Sequence, residues 1–232
     1  MAFPESKGPN LEQYMPLLQR KRDYVKRIYP LDSNNWILEA AKDGVIIHSL
    51  YDEPAGLKII RSQTLIKAPL TVIIQVLEDI EVGTEWDKSL ESIKAVHKFG
   101  DTYILHTVVK KLPLVVQREA VIVGKLFYEP DGVALMASTS INYPGLEESI
   151  YRVRATAHLI GWYIKPDPLD AELTEFTLIM HVDPEGWVPK WALNWFAYTE
   201  GFNVRELGKY VENVHKEQKR QMTEENEHEN EQ

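Results

Sequence analysis

The sequence predicts an α+β fold in which an antiparallel sheet is followed by one long C-terminal helix. A run of strand-like segments is separated only by short turn signals, and neighbours joined by such short links pair antiparallel. A helical pattern then extends from Pro189 to Glu217. No Gly/Ser-rich linker divides the 232 residues, so one large domain is expected. This element order suggests a curved sheet around a helix.

The chain begins with a predicted basic helix, assigned to residues 1–30. Apolar residues recur at helical spacing between Leu11 and Tyr29, and Pro30 ends the pattern. Its middle is positively charged at Arg20, Lys21, Arg22, Lys26 and Arg27. A solvated helix face explains this charge, and attraction to anionic lipid headgroups is the alternative.

The middle of the chain has the composition of strands with one helix among them. β-branched residues fill Val45–Leu50 and Leu57–Ile66, with a turn between them, and Pro69–Ile80 has a helical apolar face. The remaining predicted strands are Ser92–Lys98, Thr102–Val109, Glu119–Tyr128, Val133–Ser140, Ile150–Ile164 and Glu172–Val182.

The C-terminal helix carries two stripes. The aromatic stripe consists of Trp191, Trp195, Tyr198 and Phe202, for which core packing is favoured over direct contact with a ligand. The small-residue stripe consists of Leu193, Ala197, Gly201, Val204 and Gly208. Small side chains leave room for either a closely packed backbone or a ligand. If they face a ligand, Gly201→Leu displaces it while the fold survives.

The net charge of −9 describes the C-terminus more than the rest of the chain. Five glutamates lie between Gln221 and Gln232, where no Lys or Arg balances them. Because this end offers almost no apolar surface to bury, residues 218–232 are predicted to form a disordered acidic tail. The acidic balance argues against binding to nucleic-acid backbones.

The sequence lacks most of the residues and motifs that carry catalysis. There is no cysteine, which excludes disulfides, thiolate catalysis and cysteine-based metal sites. Phosphate-binding Gly-rich loops, nucleophile elbows and zinc-protease motifs are also missing, and the histidines are scattered. No catalytic residue, cofactor or metal is therefore predicted. With no secretory or membrane-spanning apolar run, a cytoplasmic location is expected.

Several short motifs occur in the order found in StAR-related lipid transfer (START) domains, which the chain resembles from Asn35 to Val214. They are Trp36-Ile37-Leu38, Asp43-Gly44-Val45, Trp86-Asp87, Gly100-Asp101-Thr102, Gln117-Arg118-Glu119 and Gly186-Trp187-Val188-Pro189. The segment from Pro189 to Trp195 is similar to the phosphatidylcholine transfer protein branch.

The resemblance implies a helix-grip fold over residues 31–217, in which the sheet wraps the C-terminal helix around an internal hydrophobic tunnel. The tunnel would hold one lipid, closed by that helix and by a loop between two strands. Shielding the apolar surface of a lipid from water is worth ~25 cal/mol per Å². The small-residue stripe is then a candidate tunnel ceiling, with close helix–sheet packing as the equal alternative.

The family's closing loop matches an apolar segment that follows two lysines. The segment consists of Lys110, Lys111, Leu112, Pro113, Leu114, Val115 and Val116. Pro113 argues against a central strand, so the segment is predicted to cap the pocket or to dip into a bilayer with its lysines at headgroup level. An extension of the neighbouring strand is the alternative.

The lipid headgroup is less well determined by the resemblance. Positions that match the choline cage (Gly83, His106, Ala120, Thr156, His158) and the sterol-branch ion pair (Ser92, Gly124) lack the expected residues. Asp87 keeps the acid of the ceramide branch, whereas Thr107 and Ala137 replace its amides. The predicted polar lining is Asp87, Ser92, His106, Thr107, Thr156 and His158. A phospholipid, a ceramide-like lipid or a sterol remains possible, with fully charged headgroups disfavoured.

The predicted function is non-enzymatic lipid binding and transfer between membranes, by a monomer that contacts membrane surfaces transiently. Two alternatives remain open. One is a lipid-sensing interaction module, and the other is a helix-grip enzyme that uses His106 or His158 as acid or base. Exchange of lipid without conversion distinguishes transfer from the enzyme.

Overall fold

The computed structural model describes residues 11–32 and 35–230. The described residues include four α-helices. They are α1 (Met15–Ile28, after a 3-10 turn at Leu11–Tyr14), α2 (Leu70–Glu78), α3 (Gly83–Trp86) and α4 (Lys190–Asn230). The strands are β1 (Ile37–Lys42), β2 (Val45–Asp52), β3 (Leu57–Ile66), β4 (Leu90–Phe99), β5 (Thr102–Val109), β6 (Arg118–Tyr128), β7 (Ala134–Ser140), β8 (Val153–Arg154), β9 (Thr156–Pro166) and β10 (Thr174–Asp183).

These strands form one open sheet in the order β1-β2-β3-β10-β9-β7-β6-β5-β4. All neighbours along this path are antiparallel, and the short β8 pairs parallel with the start of β6. The pairing of β3 with β10 joins the first three strands of the chain to the last strand. Helix α4 packs against β2, β3 and β10. The predicted helix-grip architecture, a curved antiparallel sheet around a long C-terminal helix, is confirmed.

Most predicted strands appear close to their expected bounds, but two regions differ. Strand β1 was not predicted, and the reason is its exposure, since nearly every residue in it is accessible to solvent and no alternation of apolar and polar residues marks it. The predicted strand Ile150–Ile164 is divided into β8 and β9, and it begins only at Val153. Residues before Val153 form a loop instead.

The two faces of the sheet are covered by different helices. On the outer face, α1 buries Val25 and Ile28 against Leu135, Leu159 and Ile179. Gly161 makes this contact possible, because a Cβ there would lie 2.5 Å from Cγ2 of Val25. The inner face packs against α2 and α4 in a larger apolar core. The first helix therefore packs on the sheet through an apolar cluster of its own, and residues 1–10 lie outside the described residues.

A buried carboxylate anchors α1 to the sheet. Glu129, at the end of β6, has a side chain only 4% exposed. It accepts hydrogen bonds from Arg22 Nε (2.5 Å), Arg22 Nη2 (2.7 Å) and Lys26 Nζ (2.9 Å). These cations lower the pKa of Glu129 to about 2. Two of the five positive charges predicted on this helix are thus occupied by a contact within the protein.

The C-terminal end differs from the prediction of disorder. Helix α4 continues through Gln218 to Asn230, although the side chains from Gln221 to Asn226 are exposed. Arg220 lies 2.8 Å from Glu217 and 3.6 Å from Glu224, one turn away on either side. The composition of this segment indicates only that it has little apolar surface to bury. Once α4 has formed, each added residue extends an existing helix, and the ion pairs of Arg220 stabilise that extension. The last two predicted tail residues, 231 and 232, lie outside the described residues.

Candidate functional site

An internal cavity of about 520 Å³ lies between the inner face of the sheet and α4. Residues of strands β5, β6, β9 and β10 line it on one side, and residues of α4 line it on the other. Most of its lining is apolar, as represented by Leu105, Ile122, Ile160, Phe176, Met180 and Leu207. A cavity of this size and composition is typical of a site for an apolar ligand.

Two carboxyl groups face each other at one pole of the cavity. Asp87 follows α3, and Glu200 comes from α4 with only 7% of its surface exposed. The amide nitrogen of Asn203 donates to both, at 2.7 Å to Asp87 Oδ1 and 3.3 Å to Glu200 Oε2. Burial and the neighbouring Asp87 raise the pKa of Glu200 to about 8, and burial also raises the pKa of Asp87. Near neutral pH the pair therefore retains a proton.

The local sequence explains how this pole is assembled. Ser89 donates to Asp87 Oδ1 through its backbone nitrogen (3.0 Å) and its hydroxyl (2.7 Å). The oxygen of Asn203 accepts from the backbone nitrogen of Lys88 at 3.2 Å, which fixes α4 to the segment between α3 and β4. Gly83 lets α3 approach β4, because a Cβ there would lie 2.9 Å from Ile93. The residues of this pole thus connect α4 to the segment between α3 and β4.

Sequence analysis identified Asp87 but missed Glu200 and Asn203. The cavity-facing stripe of α4 consists of Ala197, Glu200, Val204 and Leu207, at i, i+3, i+7 and i+10. This helical spacing was visible in the sequence. A charged residue is uncommon on a buried helix face, so the spacing alone does not single out Glu200.

The predicted lining residues separate into two groups. Those that line the cavity are Asp87, Thr107, Leu193, Ala197 and Val204. Those that lie outside its lining are Ser92, His106, Thr156, His158, Gly201 and Gly208. The polar lining expected from the resemblance is therefore largely absent, and the acidic pole stands in its place.

Strand alternation places the predicted histidines on the outer face. His106 precedes the cavity-lining Thr107, and its Nε2 lies 3.0 Å from the buried Glu119. In β9, Leu159 pairs with His181 and Ala157 pairs with Val182, so His158 is the extra residue of a β-bulge. Its ring centroid lies 4.8 Å from that of His181, with the two rings tilted by 43°. The bulge changes which residues of β9 face inward, and the sequence does not reveal it.

The two glycines of α4 contact the sheet rather than the cavity. A Cβ at Gly201 would lie 2.6 Å from Ile47 Cδ1 and 3.4 Å from Ser62 Oγ. A Cβ at Gly208 would lie 3.5 Å from Ile66, an ordinary contact. This geometry favours close helix–sheet packing over a tunnel ceiling at both positions.

We accordingly expect Gly201→Leu to destabilise the fold rather than to displace a ligand. Forcing a larger side chain into this contact costs ~1–3 kcal/mol of unfolding free energy. Gly208→Ala is the matched control and gains up to ~1 kcal/mol of helix propensity. Thermal unfolding and native mass spectrometry would measure stability and bound ligand together. An unchanged melting temperature with loss of ligand from Gly201→Leu would restore the tunnel-ceiling interpretation.

The segment from Lys110 to Gln117 forms a loop at the mouth of the cavity. Strand β5 ends at Val109 and β6 begins at Arg118, so the strand-extension alternative is wrong. Lys110, Leu112, Val115 and Val116 line the cavity, whereas Lys111, Pro113 and Leu114 do not. Leu114 is 94% exposed.

Arg118 joins this mouth loop to the connector that precedes α4. Its guanidinium donates to the carbonyl oxygens of Pro184 (3.2 Å), Glu185 (3.0 Å) and Trp187 (3.1 Å), and also to that of Val116. Arg118 is only 8% exposed. One side chain therefore joins the loop after β5 to the connector before α4.

Two kinds of feature are absent from the described part of the chain. No group of three or more acidic or histidine side chains there is arranged to hold a metal ion. Among the helices of that part, none has the length and apolar character needed to cross a membrane.

Comparison with known proteins identifies the family. A sequence model of the START domain matches residues 25–212. The chain belongs to the START domain family.

Solved structures of START-related proteins have the same fold as this chain. The chain superposes on human StAR-related lipid transfer protein 5 with a TM-score of 0.79 at 15% identity, over 88% of this chain and 99% of that structure. For human STARD10 the TM-score is 0.72 at 18% identity, over 88% and 82% of the two chains.

Curated relatives of this START domain are similar at a modest level. The steroidogenic acute regulatory protein of Danio rerio is 27% identical over 123 residues, which cover 52% of this chain and 43% of the relative. The protein of the same name from Ovis aries is 26% identical over 190 residues, covering 79% of this chain and 66% of the relative. The chain thus spans less than two thirds of the length of these relatives.

Proposed function

We propose that this START domain binds one lipid in its internal cavity and carries it between membranes without converting it. The observation that supports this function is the apolar cavity of about 520 Å³, which α4 and the mouth loop help to line. Removing a lipid's hydrocarbon surface from water supplies the driving force for binding. The similarity to a protein named StAR-related lipid transfer protein 5 also supports this function.

The acidic pole narrows the class of lipid. Asp87 and Glu200 repel a negatively charged headgroup, and burying a phosphate beside them would leave its charge uncompensated. Of the lipids considered from the sequence, a ceramide-like lipid or a sterol therefore fits better than an anionic phospholipid. The enzyme alternative weakens, because its acid–base candidates His106 and His158 lie outside the cavity lining.

The mouth of the cavity supports transient docking to a membrane surface. Leu114, Val116 and Trp187 are exposed apolar residues on the two segments joined by Arg118, and Lys110 and Lys111 accompany them. Apolar side chains enter the interface while lysines remain at headgroup level. Docking at this end would place the cavity opening against the bilayer. A cytoplasmic monomer that visits membranes fits this arrangement.

The function is tested by moving lipid between vesicles. Purified protein should transfer a fluorescent sterol or ceramide from donor to acceptor vesicles, and native mass spectrometry should detect one intact lipid for each chain. Chemical conversion of the lipid would favour the enzyme alternative. A protein that transfers nothing, but captures a partner only when loaded, would favour the lipid-sensing module. A protein that accepts no lipid at all would refute the proposal.

The mouth loop provides a sharper test. Leu112 lines the cavity whereas the exposed Leu114 does not, so Leu114→Asp alone separates docking from binding. An inserted leucine contributes ~1.5–3 kcal/mol, so liposome affinity should fall at least about tenfold while the melting temperature stays unchanged.

Leu169→Asp is the matched control for this experiment. Leu169 is 96% exposed in the loop between β9 and β10, at the opposite end of the sheet from the mouth. Its replacement should leave liposome sedimentation unaffected. Equal losses from both variants would indicate non-specific adsorption, and a large melting shift for Leu114→Asp would indicate a structural role.

A further inference from the structure

The two carboxyl groups at the pole of the cavity have no positively charged partner. Cationic side chains in the lining are Lys58, Lys110 and Arg118. Lys58 pairs with Glu39 at 2.7 Å, Arg118 binds backbone carbonyls, and Lys110 is exposed in the mouth loop. Within the described residues, no ion pair or hydrogen bond joins any of the three to Asp87 or Glu200. The pole is acidic and uncompensated.

The groups that do contact the pair are neutral. Ser89 and Asn203 each donate a hydrogen bond to Asp87, and each also hydrogen-bonds to Glu200. Such donors stabilise a carboxylate without cancelling its charge. An ionised carboxyl group at this pole is therefore a negative charge buried among neutral donors. A buried charge of this kind is best stabilised by a cation held in direct contact.

A second unsatisfied group belongs to the same wall. Trp86 immediately precedes Asp87 and lines the cavity, and its indole nitrogen is buried without an acceptor in the described part of the chain. An indole N–H is only a donor, so its partner must supply an oxygen or another acceptor. The aromatic ring also attracts cations. The pole therefore lacks both a cation and an acceptor, next to an extended apolar chamber.

We propose that this pole recognises the headgroup of a long-chain amino alcohol. The ammonium group binds between Asp87 and Glu200, a hydroxyl oxygen supplies the acceptor that Trp86 lacks, and the alkyl chain fills the apolar cavity. An ammonium carries three N–H donors, which suits two carboxyl groups better than the single donor of a plain alcohol. The inference rests on the proposed lipid-binding function and narrows its ligand to an amphiphile with a positively charged amine.

Two ligands that differ only at nitrogen test the charge directly. Sphinganine carries a protonated amine, whereas N-acetylsphinganine keeps the hydroxyls and the long chain but is neutral. Both are delivered as cyclodextrin complexes to the full-length protein at neutral pH, and calorimetric titration measures their affinities. We expect sphinganine to bind at least about tenfold more tightly, because only its ammonium compensates the buried negative charge.

Variants then assign the preference to the pair. Asp87→Asn and Glu200→Gln should each lower sphinganine affinity about tenfold or more and leave N-acetylsphinganine affinity within about twofold. Glu206→Gln is the matched control, since Glu206 lies on the same helix but pairs with Lys209 away from the cavity. Its affinities for both ligands should match those of the unmodified protein.

The outcomes separate this inference from the function on which it rests. Equal or tighter binding of N-acetylsphinganine would overturn the amine-binding role while leaving lipid binding intact. Parallel losses of both ligands in Asp87→Asn or Glu200→Gln, with normal unfolding transitions, would also overturn it. If neither ligand binds and fluorescent sterol is refused as well, the proposed lipid-binding function itself fails.

Discussion

Replacing Arg118 with methionine is expected to open the mouth of the cavity and to lower the unfolding free energy by ~3–5 kcal/mol. Methionine keeps the apolar stem but removes every donor that the guanidinium offers to the carbonyls of Val116, Pro184, Glu185 and Trp187. Each buried carbonyl left without a donor costs ~1 kcal/mol or more. Denaturant unfolding measures the loss of stability.

The Arg118 variant should also change the dynamics of the mouth. Amide hydrogen exchange should accelerate in residues 110–117 and 184–190, and bound lipid should leave the protein faster. Arg205→Met is the control, because Arg205 makes a partly exposed pair with Asp43 at 3.3 Å, away from the mouth. Exchange that accelerates uniformly over the whole sheet would show that Arg118 supports the fold in general and does not specifically close the cavity.

Glu129→Gln is expected to weaken the attachment of α1 to the sheet by ~2–3 kcal/mol at neutral pH. The variant keeps the shape of the side chain but loses the charge that Arg22 and Lys26 neutralise in a nearly buried position. Charge-assisted hydrogen bonds in such a site are stronger than neutral ones. Urea unfolding monitored by fluorescence would measure the difference from the unmodified protein.

The pH dependence gives this second prediction a distinct signature. Because the folded pKa of Glu129 is about 2 and lies below its ordinary value of 4.5, the carboxylate stabilises the fold above pH 4.5. That contribution is lost as the pH falls from 4.5 towards 2, so the variant and the unmodified protein should converge in acid. Glu172→Gln is the control, since the Glu172 side chain is half exposed and its pairs with His215 and Lys219 are expected to contribute little. A constant difference at every pH would contradict the assignment.

Local patterns in the sequence predicted most of the secondary structure. Turn residues at Pro54-Ala55-Gly56 and Phe99-Gly100-Asp101 separate predicted strands, and the bounds of those predicted strands are close to the observed ones. The turns are predictable because Gly, Pro and Asp affect the backbone within a few residues. The short connections between strands indicated antiparallel pairing for the same local reason. The apolar mouth loop was also visible, because Pro113 interrupts an otherwise strand-like run.

The sequence by itself determined an α+β chain with one sheet and one long C-terminal helix, and its lack of cysteine excluded thiol chemistry. Only the tertiary structure decided which side chains meet in the cavity. Asp87 and Glu200 are far apart in the chain, and they become neighbours because Asn203 fixes α4 against the segment after α3. The bulge at His158 turned predicted lining residues to the outer face. Pairing register and helix docking depend on contacts between distant segments, and these long-range contacts leave no periodic mark in a single sequence.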